Sequence, residues 1–276
     1  MKRDSSKTLI LALGISSIIF IILIGIMINS FMKRAKYDEV THLSKRILKV
    51  KLNNKFGIMD TLGNVITEPK YDDISLFEDE DNFEVILKDR HGCINKSGQV
   101  IIEIKYDELQ RGFGEELAAV KLDGRWGYVD KSGKEIVKPQ FEEVACFFDE
   151  GLGYVKKNGK YGFVDKTGKL VIEPKFDYVH EFSDGLAAVM INKDWGFIDK
   201  AGNVVIEPKY DCVGPFSEGL AAVVINRSWG YIDKTGKVVI EPKYGSAKPF
   251  SKGRAIVDIY GKEFSIDKTG RENRHK

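Results

Sequence analysis

"WGYVDKSGKEIVKPQFEEV" occupies Trp126–Val144, and close variants return as "WGFIDKAGNVVIEPKYDCV" from Trp195 and "WGYIDKTGKVVIEPKYGSA" from Trp229. One copy could mark a site. Several copies at fixed spacing mark an architecture. The motif glycine recurs at Gly57, Gly92, Gly127, Gly162, Gly196 and Gly230, with gaps of 35, 35, 35, 34 and 34 residues. A seventh, degenerate copy puts Phe264 in the glycine position. Periods of about 20–50 residues are the signature of solenoids, propellers and arrays, whose repeats bury a core only by stacking on neighbours.

Each copy reads as β structure. A first strand, typified by "LAAVMI" (Leu186–Ile191), leads into a tight turn. Asp123-Gly124 and Asn158-Gly159 fit two-residue hairpin turns, which need positive φ at both residues. The second strand is "WGYVD" or a variant, and in it Trp, Tyr and Asp share one face while Gly and Ile or Val share the other. The missing side chain at Gly suggests close approach of a neighbouring copy, whose aromatic would pack over it. Asp-Lys-x-Gly then forms a turn, with Asp capping backbone N–H groups and Gly in the left-handed region. In the third strand, "VVIEP", the proline (Pro69, Pro139, Pro174, Pro208 or Pro242) is expected to mark a strand end, because it cannot donate to a ladder. The copy closes with "KYDCVGPFSEG"-type sequence, a short fourth strand and return turn. The expected fold is therefore all-β: six copies and a half of a 34–35-residue hairpin or meander, as an open β array or a propeller-like domain. The first two copies depart most, with Phe56 and His91 for the aromatic and Ile104 for the proline.

These motifs, with the linking "FSEGLAAV" (Phe216–Val223), resemble the WG-repeat family, also called KWG repeats, over about residues 47–270. Such repeats are widespread in bacteria, often behind a membrane anchor or signal. The resemblance implies a binding or scaffolding module and supplies no catalytic residue.

Ahead of the repeats, "TLILALGISSIIFIILIGIMINSFM" runs from Thr8 to Met32 without a charge. At about 1.5 Å per residue it is long enough to cross a hydrocarbon layer of about 30 Å. It is too long for a signal-peptide core, and no A-x-A site follows. The expected organisation is a tail (1–7), a transmembrane anchor in the lipid bilayer (8–32), a polar connector (33–46), the repeat domain (47–270) and a charged tail (271–276). Lys and Arg are balanced across the span, so the short N-terminal tail decides orientation: it stays inside, and the C-terminal domain faces out. Residues 1–36 carry a net +5, leaving −3 on a globular part that does not suit nucleic acid. Cys93, Cys146 and Cys212 are far apart, form no CxxC, and are expected as free, mostly buried thiols.

Chemistry is sparse. His42, His91, His180 and His275 do not repeat, and no two have metal-ligand spacing. Asp60, Asp130, Asp165, Asp199, Asp233 and Asp267, with Asn95, form a column explained by turn capping. The lysines of the same turns, such as Lys200 and Lys234, would compensate its charge. There is no phosphate loop and no nucleophile elbow. No copy carries a long insertion of the kind that gathers catalytic groups. No enzyme, cofactor or metal site is expected. Two aromatic columns, Phe56 to Trp229 and Tyr71 to Tyr244, are mainly core; Trp126, Trp195 and Trp229 are the candidates for a ligand platform. The expectation is a membrane-anchored interaction module for a protein or an envelope polymer such as wall glycan. A carbohydrate-active enzyme and an inert surface spacer are the alternatives.

Overall fold

The computed structural model describes residues 36–77, 81–110, 112–113 and 116–272. The expected anchor, 8–32, lies outside the described residues, among which no helix is long and apolar enough to cross a membrane. The chain forms two compact units: residues 1–112 with 131–134, and residues 113–130 with 135–276.

The first compact unit holds two four-stranded antiparallel sheets, each a simple meander. Sheet one is Glu39–His42, Ile47–Leu52, Lys55–Asp60 and Val65–Tyr71; sheet two is Asp73–Leu76, Asn82–Leu87, Arg90–Asn95 and Val100–Tyr106. The segment expected as a connector thus supplies an opening strand. The reason is legible in "KYDEV" (Lys36–Val40), which repeats the closing "KYDCV" of later copies.

The second compact unit holds five more sheets. Sheet three includes Leu117–Leu122, Arg125–Asp130 and Glu135–Phe141; sheet four is Glu143–Val144, Leu152–Lys157, Lys160–Asp165 and Leu170–Phe176. Sheet five is Tyr178–Val179, Ala187–Ile191, Asp194–Ile198 and Val204–Tyr210. Sheet six is Leu220–Ile225, Ser228–Asp233 and Val238–Tyr244, its opening strand reduced to the bridge Val213–Val223. Sheet seven, Ser246–Ala247, Arg254–Ile259 and Lys262–Asp267, has no bulged fourth strand. None of these sheets closes on itself. Within each unit the short closing strand of a copy belongs to the next sheet, so neighbouring copies there share residues.

Strand alternation explains "LAAV". Ala187, Val189 and Ile198 of sheet five pack on Phe163, Ile172 and Phe176 of sheet four. The opposite face, Leu186, Ala188 and Phe197, packs with Phe216, Ala221, Val223 and Ile232 of sheet six. Sheet five is therefore buried on both faces, and its small alanines let the sheets meet. One aromatic pair repeats at each junction of the second unit: Tyr128–Phe148, Phe163–Phe182, Phe197–Phe216 and Tyr231–Phe250, with centroids 5.1, 4.9, 4.7 and 4.9 Å apart and rings edge to face.

The structure corrects two readings. Pro208 lies within the strand Val204–Tyr210, not at its end. Trp195 pairs with Tyr210 but Phe197 with Ile206, so the fourth strand carries two extra residues in a bulge. Proline is tolerated there because this is the sheet's edge strand. The motif glycine faces that bulge. A Cβ on Gly196 would stand 2.5 Å from the Ile206 carbonyl oxygen and 2.6 Å from the Pro208 nitrogen. The close approach is thus to the backbone of the same sheet and not to a neighbouring copy's aromatic. Contact between copies falls instead on the glycine of the Asp-Lys-x-Gly turn, where a Cβ on Gly202 would meet the Ile172 side chain at 3.2 Å.

Candidate functional site

The Asp column caps its own turns. Asp165 Oδ1 accepts hydrogen bonds from Thr167 N–H at 2.9 Å, Thr167 Oγ1 at 2.6 Å and Lys169 N–H at 3.1 Å. Asp233 and Asp267 repeat the pattern, and Asp199 accepts from Ala201 and Asn203 N–H at 2.9 Å each. Asp60 and Asn95 do the same in the first compact unit. Side-chain hydrogen bonds from Thr167, Asn203, Thr235 and Thr269 hold Asp165, Asp199, Asp233 and Asp267 below the usual carboxylate range. Among the described residues no group of His, Cys, Asp or Glu is arranged to hold a metal ion.

The turn lysines do not compensate this column. Lys200, Lys234 and Lys268 reach back 50 residues to Glu150, Asp184 and Glu218, at 2.9, 2.9 and 3.2 Å. Those acids sit in tight turns and also accept N–H bonds from Gly185, Gly219 and Gly253, at 3.0, 2.6 and 2.9 Å. The result is a staircase linking successive copies. It occupies the repeating charges with structural work and leaves the non-repeating residues as the place to look for function.

Those departures converge. In sheet four Tyr154 takes a position held by Ala119, Ala188 and Ala222 elsewhere, and Tyr161 replaces tryptophan. In the opening strand of sheet five and just after it, Tyr178 and His180 stand where other copies have Cys212 or Ser246 and Gly214 or Lys248. A cleft of about 200 Å³ lies among Glu143, Tyr154, Tyr161, Tyr178, His180 and Glu181. The rings form a chain. Tyr154–Tyr161 centroids are 6.0 Å apart, Tyr161–Tyr178 5.2 Å, and Tyr178–Trp195 6.0 Å, with His180 packed 4.7 Å from Trp195. Tyr161 donates its hydroxyl to Glu143 at 2.5 Å, and Lys156 stands 3.3 Å from the same carboxylate. Burial holds the His180 imidazole below its ordinary pKa against the opposing pull of Glu181, so it is neutral near pH 7. Burial, with Cys146, Glu181 and Glu143 beside it, pushes the Tyr154 phenol up to about 12. A larger hollow of about 380 Å³ beside Tyr210 and Gly236 is lined at those positions by residues the repeat places in most copies.

Of the three tryptophans expected as a platform, none lines this cleft; Trp195 packs against two residues that do, Tyr178 and His180. All three are half-buried and packed on the cores of their own sheets, and Lys121 lies 5.4 Å from the Trp126 ring centroid. Sequence reasoning passed over Tyr154 and Tyr178; their signal is departure from the column, which alignment of the copies exposes. The thiols are free, but only Cys93 is buried, while Cys146 and Cys212 are exposed. The last two fall in the variable segment between bulge and next sheet, where packing does not dictate the residue.

A family model described as "WG containing repeat" matches residues 56–85, 92–126, 126–161, 161–193, 195–227 and 229–262. No curated protein matches the chain. Solved structures with a loose likeness include one titled as the eukaryotic initiation factor, at 12% identity and TM-score 0.44, covering 86% of this chain and 75% of that one. Kluyveromyces lactis Hsv2p matches at 12% identity and TM-score 0.38, covering 83% and 93%. PorZ, a surface component of the type-IX secretion system of Porphyromonas gingivalis, matches at 11% identity and TM-score 0.33, covering 87% and 40%. At these scores nothing about partners or activity follows from them.

Proposed function

This chain belongs to the WG-containing repeat family, and we propose that it is a single-pass membrane protein displaying its repeats as an interaction module for a protein or an envelope polymer, without catalysis of its own. The uncharged stretch 8–32 supports the anchor. One observation carries the binding role: Tyr154, Tyr161, Tyr178 and His180, which the repeat does not require, come together around one cleft. Scaffold demands are the same in every copy, so residues found once and gathered in a concavity are free for recognition. The capped Asp column and the paired turn lysines favour this reading over an enzyme, because the repeating charges are already engaged.

The test is photo-crosslinking in intact cells. A benzophenone amino acid at position 178 should trap a discrete partner, and the same group at 246, the equivalent position of sheet seven, should not. Equal trapping at both positions, or none, contradicts the reading. A tag after Lys276 should be removed by protease from intact protoplasts; survival until lysis would place the domain inside.

A further inference from the structure

The cleft's shape and charge say what it would hold. Its rings meet at 67°, 57° and 75°, from Tyr154–Tyr161 through Tyr161–Tyr178 to Tyr178–Trp195. Rings packed against one another at such angles offer no broad coplanar platform, which is what a flat pyranose face needs. The exposed ring at the cleft, Tyr178, can draw a compact cation to its negative face.

The charges agree. Two carboxylates, Glu143 and Glu181, border the cleft. Glu143 is engaged by Tyr161 and Lys156. Glu181 is exposed and has no ion-pair partner among the described residues. No lysine or arginine lines the cleft. The protein itself already sets an ammonium on this kind of surface: Lys156 Nζ lies 4.9 Å from the Tyr161 ring centroid, and Lys121 takes the same place over Trp126. Opposite Trp195 the lysine is replaced by Met190, so that ring has no internal cation from the corresponding position.

We infer that the cleft bounded by Tyr154, Tyr161, Tyr178 and Glu181 receives an alkylated ammonium group, the end of a lysine side chain or a quaternary ammonium head. This rests on the cleft being the binding site. Glu181 supplies the counter-charge and the exposed Tyr178 the ring face, while the nearby Lys156 is engaged with Glu143.

Calorimetric titration of the full chain tests it with four probes: choline, its neutral isostere 3,3-dimethylbutan-1-ol, butylammonium and tetra-N-acetylchitotetraose. Choline or butylammonium should bind at least about tenfold tighter than the neutral alcohol. The tighter of the two identifies the quaternary or the lysine-like source. Glu181→Gln should weaken that binding about threefold and Tyr178→Leu at least tenfold, with unchanged thermal unfolding because both side chains are exposed. Equal binding of the alcohol and choline overturns the cation assignment, as does tight binding of the chitotetraose alone. Either result, if it depends on Tyr178, leaves the cleft standing as a site. Cation binding indifferent to Tyr178→Leu also overturns the assignment. Failure of the crosslink at 178 would remove the site itself.

Discussion

Sheets two and four share a backbone and differ in what they hold at one place. In sheet four, Tyr154 and Tyr161 stand beside each other at the rim of a cleft. In sheet two the same two positions carry Glu84 and His91, joined at 2.7 Å, with Glu84 buried and also bonded by the Ser75 hydroxyl at 3.2 Å. An internally satisfied hydrogen-bonded pair leaves little for a ligand; the aromatics of sheet four border a cleft instead. The repeat therefore fixes a frame and frees a few positions, and those positions decide what each copy can do.

Breaking the frame should cost most. Phe216→Ala empties the junction between sheets five and six and should destabilise by about 3–5 kcal/mol, read from denaturant melts. A loss under about 1 kcal/mol would mean that the repeated aromatic pair is not holding the sheets together. Gly196→Val should follow, at about 2–4 kcal/mol, because its new Cβ is driven into the backbone of its own bulge. Gly185→Ala is the comparison: nothing lies within 4 Å, and only its φ of +86° is strained, so about 1 kcal/mol is expected. If the two variants melt alike, the bulge contact does not explain Trp-Gly.

The free positions should respond differently. His91→Ala leaves a buried carboxylate with one partner fewer and should cost about 1–3 kcal/mol, whereas Tyr178→Ser should leave the melt unchanged. Reversal of that order would undo the division between sheets two and four. The smallest effect belongs to the staircase. Lys234→Ala removes a half-exposed pair and should cost under about 1 kcal/mol, shrinking further in high salt.

Acid should act on the frame. The pKa of Asp165, Asp199, Asp233 and Asp267 is lower in the folded than in the unfolded chain. Their contribution is thus complete above the unfolded value of about 4 and is lost as pH falls through the folded values. Melting temperature should hold between pH 7 and 5 and drop below pH 4, less so in a variant with all four as Asn. A flat profile through pH 3 would show the caps to be idle.

Much of the frame is legible in sequence because it is periodic. Gly57 to Gly230 set the spacing, Asn158-Gly159 the hairpin, and Asp165 its turn. The hairpin φ values, 52° and 74°, are those the dipeptide requires. What escaped has a physical cause. The bulge around Pro208 depends on register, which proline's missing N–H does not specify. The partners of Lys200 lie 50 residues away, beyond any local pattern. The cleft escaped because attention to what recurs hides what occurs once. Trp195 was found as a column member, while Tyr178 belongs to no column.

The most direct measurement restores the repeat at the cleft. A variant with Tyr154→Ala, Tyr178→Ser and His180→Gly carries residues that other copies already use there. It should fold and melt like the parent, and it should lose the partner trapped from a crosslinker placed at Glu181. If it folds and still traps that partner, recognition does not reside in the residues that break the repeat.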